Sequence, residues 1–254
     1  MDYGIKGKVA VVTGTGRQGA MGHTIAKTLA AEGANIACVD VNIEGAEAIA
    51  EELRGMGVNA KAYNIDQSVY EQVKEGAAKI AADMGPVEIL VNNAALLRGG
   101  GRIQKTTVED WKNLLRIDLD GPWYWIREVW NTMVERNWGR IVNISSIAGV
   151  QGGFGQANYS AAKAGVIALA KTAALEGARS GIVANTITLG VVDTSGGRIL
   201  ESETFQRIVA QVAMRKMGEP IDVATLAAFL VSEQCKYITG QNIHVMGGLD
   251  LFTY

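Results

Sequence analysis

Only two cysteines, Cys38 and Cys235, occur among 254 residues. That is too few for a disulfide framework and fits a reducing, cytoplasmic setting. Only three prolines interrupt the chain, and no repeat, low-complexity tract or linker divides it. A single folded unit over residues 1–254 is therefore expected. Charge of either sign is not concentrated: the formal net charge is −2 and no lysine/arginine block stands out. This removes the electrostatic basis for a nucleic-acid or anionic-membrane partner. No apolar run approaches the length of a membrane span, and Met1–Lys8 is polar and glycine-containing rather than leader-like. No metal site is expected. What the chain does have is 31 glycines and 48% hydrophobic residues, the composition of a soluble, glycine-turned protein.

The glycines are concentrated where they count. Val9-Ala10-Val11-Val12 reads as a short buried strand that runs directly into Thr13-Gly14-Thr15-Gly16-Arg17-Gln18-Gly19-Ala20-Met21-Gly22. Helical periodicity follows from His23 to Ala31 (Ile25, Ala26, Leu29, Ala30) and stops at Glu32-Gly33. A second strand over 35–39 ends at Asp40. Glycines let a backbone approach a pyrophosphate, and a helix amino terminus faces it with N–H donors and a positive dipole end. Gly14 and Gly22 are the foremost candidate contacts, with Gly19 and Met21 between them. Asp40, at a strand tip, can accept from both adenosine ribose hydroxyls and would repel a 2′-phosphate, which favours NAD over NADP. Arg17 could reach a phosphate and pulls weakly the other way. The pattern repeats through a helix over 44–53, a strand over 60–64, a helix over 69–84 and a strand over 89–91. Such alternation means a parallel, doubly wound sheet.

A second constellation follows. Ile141–Ile144 reads as a buried strand with Ser145 and Ser146 at its carboxyl end, the edge where open parallel sheets bind ligands. Thirteen positions after Ser146, Tyr159-Ser160-Ala161-Ala162-Lys163 places a tyrosine and a lysine on one helix face, a turn apart. Free tyrosine titrates near ~10 and is a poor base at neutral pH, but a nearby ammonium favours the phenolate. A hydroxyl donor, a phenol and a lysine can together move a proton on and off a carbonyl or alcohol oxygen.

In this order the motifs resemble those of the short-chain dehydrogenase/reductase family over essentially the full length. They comprise the Thr13-Gly14 loop, Asn92-Asn93-Ala94, Asn143 to Gly149, Tyr159-x-x-x-Lys163, Lys216-Met217-Gly218-Glu219-Pro220 and Tyr237-Ile238-Thr239-Gly240-Gln241. The resemblance implies an α/β fold, a Rossmann-type doubly wound parallel sheet flanked by helices on both faces. It implies that Tyr159 is the general acid/base, that Ser146 hydrogen-bonds the reacting oxygen, and that Lys163 holds the nicotinamide ribose. Asn92 and Ala94 would help hold the cofactor, Asn64 and Ile65 would lie near the adenine, and Val192 and Thr194 would cradle the carboxamide. A substrate lid is expected at about 194–217, and a homotetramer through the long helical stretches 111–136 and 156–180. Trp123, Trp125 and Trp130 are assigned to core packing. Gln151 and Phe154 form a substrate wall, and Arg98, Arg102 and Arg198 either converge on an anionic substrate group or are solvated loop residues.

Four positions depart from the family pattern. The glycine loop is about two residues longer than usual, a length resembling enoyl-thioester reductases, although those space tyrosine and lysine more widely. Asp118 replaces an asparagine thought to hold a water linking the lysine to solvent; the favoured reading keeps that water and adds a charge. Leu189-Gly190 replaces Pro-Gly, and Ala95 replaces glycine. The function expected is hydride transfer between NAD(H) and a small secondary alcohol or ketone (alcohol, polyol, sugar or hydroxy acid). The alternatives are a 3-oxoacyl-thioester reductase, which Gly155-Gln156-Ala157-Asn158-Tyr159 resembles, and a non-catalytic dinucleotide sensor in which Asp118 disables the relay.

Overall fold

A computed structural model of the protein describes residues 2–96, 101–194 and 203–251. The first half alternates strictly: β1 (Val9–Thr13), α1 (Met21–Ala31), β2 (Asn35–Asp40), α2 (Ile43–Arg54), β3 (Ala60–Asn64), α3 (Tyr70–Met84) and β4 (Val87–Asn92). Then come α4 (Val108–Leu115), α5 (Gly121–Glu135), β5 (Gly139–Ser146), the short α6 (Ala148–Gln151) and the long α7 (Ala157–Gly177). β6 (Ile182–Leu189), α8 (Glu203–Val209), α9 (Pro220–Leu230) and β7 (Asn242–Val245) close the order. The strands form one parallel sheet in the order β3-β2-β1-β4-β5-β6-β7.

Helices cover both faces, so the central strands are apolar without alternation; every residue of β1 and β4 is buried. One face packs α1, α2 and α9 through Ile25, Leu29, Ile49, Leu53, Val223 and Ala227. The other packs α3, α5 and α7 through Val73, Ile80, Trp125, Met133 and Ala173. Chain direction reverses across the sheet between β1 and β4, and there the connections leave in opposite directions and open a crevice. Register brings β1 and β2 to this edge together, Thr13 opposite Val39, so Gly14 and Asp40 emerge side by side.

The stretch expected as one helix over 111–136 is interrupted. A π-helical turn, Arg116–Asp120, separates α4 from α5. Pro122 in the first turn of α5 has no N–H to give to the carbonyl four residues back, and the ladder accommodates this with a wider turn centred on Asp118. Trp125 is fully buried and Trp130 packs against the core as expected, but Trp123 is 45% exposed and is not a core residue. β6, β7 and α9, which sequence periodicity leaves unassigned, extend the sheet beyond β5 and cover it. Cys38 and Cys235 are buried free thiols. Among the described residues, no helix is long and apolar enough to cross a membrane.

Candidate active site

At the carboxyl edge the chain leaves β1 through Gly14, whose φ of 75° suits glycine, and Gly14 N donates to Val39 O at 2.8 Å. Thr13 ties this turn to the end of β4: its Oγ1 accepts from Asn93 N and Ala94 N, each at 3.0 Å. Asn93 Nδ2 returns a bond to Thr13 O at 2.8 Å. α1 then packs directly on the turn. A Cβ at Gly22 would run into Gly14 O and lie 2.7 Å from Asn93 Nδ2. The helix starts at Ala20 with no side-chain cap and no acidic residue in its first turn, leaving its first N–H groups as donors for an anion.

The lengthened loop folds onto the second strand. Asp40 Oδ2 accepts from Gly16 N at 2.7 Å and Oδ1 from Asn42 N at 2.8 Å, while Asn42 Nδ2 donates to Gly16 O at 2.8 Å. Each carboxylate oxygen keeps a lone pair for a further donor. Arg17 is engaged elsewhere, its Nη2 donating to Thr194 O at 2.8 Å across the crevice.

Opposite this end stands a second group of side chains. Ser146 closes β5, and its Oγ accepts from Ala148 N at 3.3 Å. Tyr159 and Lys163 project from α7, with Lys163 Nζ 5.6 Å from the Tyr159 ring centroid. The lysine side chain is only 5% exposed; Nζ donates to Ile144 O at 3.3 Å and pairs with Asp118 Oδ2 at 3.4 Å. Asp118 is wholly buried, and its Oδ1 accepts from Leu96 N at 2.7 Å. Burial pushes its carboxyl above the usual carboxylate range, opposed by the Lys163 charge and the Leu96 N–H. Carboxylate and ammonium thus lie in direct contact.

A cleft of about 630 Å³ joins the two ends, lined by Gly14, Met21, Gly22, Asp40, Ile65, Ala94, Ser146, Tyr159, Lys163, Val192 and Thr194 among others. Both the carboxyl-edge position and the volume suit an extended dinucleotide. The bare helix terminus lies midway, a carboxylate at one end, and hydroxyl, phenol and ammonium at the other. Leu189-Gly190 keeps its turn by backbone bonds, Ile147 N to Leu189 O at 2.8 Å and Gly190 N to Val245 O at 3.0 Å.

Several expected residues fall elsewhere. Asn92 is buried with its Nδ2 on Asn143 Oδ1 at 2.9 Å; strand alternation turns it into the sheet, and it fastens β4 to β5 rather than facing the cleft. Asn64 sits exposed outside the cleft lining, Nδ2 towards Val41 O at 3.4 Å. Gly19 also lies outside the lining. Asp118 does not line the cleft itself but touches two residues that do, Lys163 and Leu96. Gln151, at the end of α6, is exposed and off both cavities, because the short helix turns it outward. Phe154 is 87% exposed and borders an adjoining cavity of about 560 Å³ with Arg102, whose guanidinium carbon is 5.5 Å from the ring centroid. Arg98 and Arg198 lie outside the described residues. Two supporting residues carry no local signal: Gln67 donates to Ala94 O at 3.2 Å and Ile117 O at 2.8 Å, and Ser145 Oγ to Lys163 O at 2.8 Å.

A family model described as enoyl-(acyl carrier protein) reductase matches residues 14–250. The 3-oxoacyl-[acyl-carrier-protein] reductase FabG of Staphylococcus epidermidis is 37% identical over 246 residues, covering 95% of this chain and 98% of that protein. The crystal structure of a gluconate 5-dehydrogenase from Burkholderia cenocepacia, in complex with NADP and tartrate, superposes with a TM-score of 0.92 at 30% identity, covering 99% of this chain and 98% of that one. An NAD+-bound xylitol dehydrogenase superposes with a TM-score of 0.88 at 30% identity, covering 96% and 99%.

The contact between Gly22 and Gly14 makes a direct test. Gly22→Ala forces the loop away from α1 and should weaken NADH binding about tenfold or more, ~1.4 kcal/mol, in a fluorescence titration. An unchanged Kd in a folded variant would mean that the loop absorbs a methyl group without disturbing the site.

Proposed function

The chain belongs to the short-chain dehydrogenase/reductase family, and we propose that it transfers a hydride between NAD(H) and a secondary alcohol or ketone. The observation that carries this reading is the convergence of Ser146, Tyr159 and Lys163 at one end of a cleft whose other end holds Asp40. When bound, the nicotinamide supplies or accepts the hydride. Every other task falls to this chain. Gly14, Met21 and Gly22 would bring backbone against the pyrophosphate, Asp40 would accept from the adenosine ribose hydroxyls, and Ile65 would flank the adenine. Ala94, Val192 and Thr194 border the nicotinamide.

The Tyr159 hydroxyl gives its proton to the substrate oxygen in ketone reduction and takes it in alcohol oxidation. Ser146 Oγ, already accepting from Ala148 N, has its own hydrogen free to direct at that oxygen. Lys163 keeps a positive charge behind the phenol, and Asp118 holds that ammonium in place. An intact Ser146, Tyr159 and Lys163 argue against a non-catalytic sensor. The preference for NAD rests on Asp40, whose carboxylate would repel a 2′-phosphate.

Small polyols and sugar acids are the substrate class we favour, supported by the likeness to the gluconate and xylitol dehydrogenases. Arg102 beside Phe154 offers the cation for a carboxylate end. The second reading, a 3-oxoacyl-thioester reductase, is supported by the FabG likeness and by Gly155-Gln156-Ala157-Asn158-Tyr159. The enoyl reaction is disfavoured by the Tyr159-x-x-x-Lys163 spacing. Of the lid expected over 194–217, residues 195–202 lie outside the described residues, and the described part carries α8; subunit contacts are proposed on α5 and α7, where Trp123 and the 82% exposed Leu175 face outward.

A panel of polyols, sugar acids and 3-oxoacyl thioesters, assayed with both cofactors, separates the two readings. On the best substrate, Tyr159→Phe should lower kcat by several orders of magnitude while NADH binding stays nearly unchanged; retention of more than about a tenth of wild-type kcat would remove the acid/base role. Asp40→Ser should shift the ratio of kcat/KM for NAD over NADP towards NADP, and a constant ratio would move discrimination to another residue. For Asp118→Asn the readout is the pH profile. The buried carboxylate opposes negative charge on the phenolate that alcohol oxidation requires, so removing it should move the rising limb of kcat/KM to lower pH, by a few tenths to about one unit. A limb that stays or moves upward would leave Asp118 with a purely steric part.

A further inference from the structure

We propose that His23 is a positioning residue for the glycine loop, and that uptake of a second proton by its ring releases the loop and weakens dinucleotide binding at acid pH. The inference rests on the dinucleotide lying along the cleft as proposed above. His23 stands in the first turn of α1 with its side chain 8% exposed. Gly19 N donates to its Nδ1 at 2.9 Å. A backbone N–H can only donate, so Nδ1 must be the unprotonated nitrogen and the tautomer is set. The proton then sits on Nε2, which donates to Glu52 Oε2 on α2 at 3.0 Å. The other oxygen of Glu52 accepts from Lys27 Nζ at 2.6 Å.

Gly19, with a φ of 73°, is the bend that delivers Ala20, Met21 and Gly22 to the cleft. The ring therefore fastens this bend to α1 and, through Glu52, to α2. A second proton would set two donors, Nδ1–H and Gly19 N–H, against each other at 2.9 Å, which no hydrogen bond can join. The contact with Glu52 would strengthen at the same moment, so the ring stays on α2 and the loop gives way. Charged groups around the ring favour this outcome. Lys27 on the same helix face, with His23 itself contributing, holds the Glu52 carboxyl below its ordinary range, so Glu52 remains an anion while imidazoles titrate. Arg17, in the loop, is engaged by Thr194 O.

The test measures NADH and NADPH binding by fluorescence titration at pH 8.0 and 5.5, with the Gly19 amide followed by ¹H–¹⁵N NMR. In the wild type, Kd for the preferred dinucleotide should rise at least about threefold at the lower pH, with the Gly19 amide shifting in step. His23→Asn keeps an acceptor near the Nδ1 position but cannot take up the proton; its affinity should match wild type at pH 8.0 within about twofold and be flat with pH. His23→Ala should bind more weakly at both pH values and also be flat. A wild-type Kd that does not change with pH, or a His23→Asn profile that falls like wild type, overturns the proposal while leaving the cleft assignment intact. Failure of both NADH and NADPH to bind the wild type at pH 8.0 overturns this proposal and the cleft assignment together.

Discussion

The site is organised around an ammonium group stripped of water. Lys163 is 5% exposed, and removing its charge from solvent costs several kcal/mol unless other groups replace the hydration. Two elements supply that replacement, β5 through Ile144 O and the π turn through Asp118, while Ser145, also on β5, fixes the lysine's backbone carbonyl. None of these is local to α7. A buried carboxylate–ammonium pair contributes little net stability, so its value lies in orientation, holding a charge beside Tyr159 on a helix that would otherwise leave a lysine to wander.

Asp118 is there because of a backbone defect. Pro122 cannot continue the hydrogen-bond ladder, the helix widens over Arg116–Asp120, and the residue in the middle of the wide turn is delivered inward. Gln67 braces the same turn from the β3–α3 connection and joins it to the loop after β4. The proton-handling end of the cleft is thereby mechanically continuous with the strand end that carries Ala94.

The dinucleotide end follows a different logic. There the chain withholds side chains: Gly14 and Gly22 let strand turn and helix touch, and Ala20 leaves the helix start uncapped. Within the lengthened loop Gly16 is held by Asp40 and Asn42 through its backbone N–H and carbonyl. Thr13, through Asn93 and Ala94, links this end to the other. Proteins described as a 3-oxoacyl-[acyl-carrier-protein] reductase, a gluconate 5-dehydrogenase and a xylitol dehydrogenase match this chain over nearly its full length.

Much was legible from residues alone. Unbroken apolar strands, the glycine loop and the strand-end Asp40 dictated a parallel doubly wound sheet, because patterns of period 2 and 3.6 and the conformational freedom of glycine are local properties. The same holds for Tyr159 and Lys163, which a helix must place one turn apart. What sequence could not decide was direction. Asn92 and Asn93 are adjacent and chemically identical, yet strand alternation in the assembled sheet sends one into the core and the other to the cleft. Asp118 was visible as an unusual charge, but its direct contact with Lys163 depends on a π turn and on burial against α7, distant in sequence. Trp123 and Trp125 lie two residues apart, and only the packing of α5 leaves one exposed while burying the other. Local physics chose the elements; which side chains face one another was decided by packing between elements far apart in the chain.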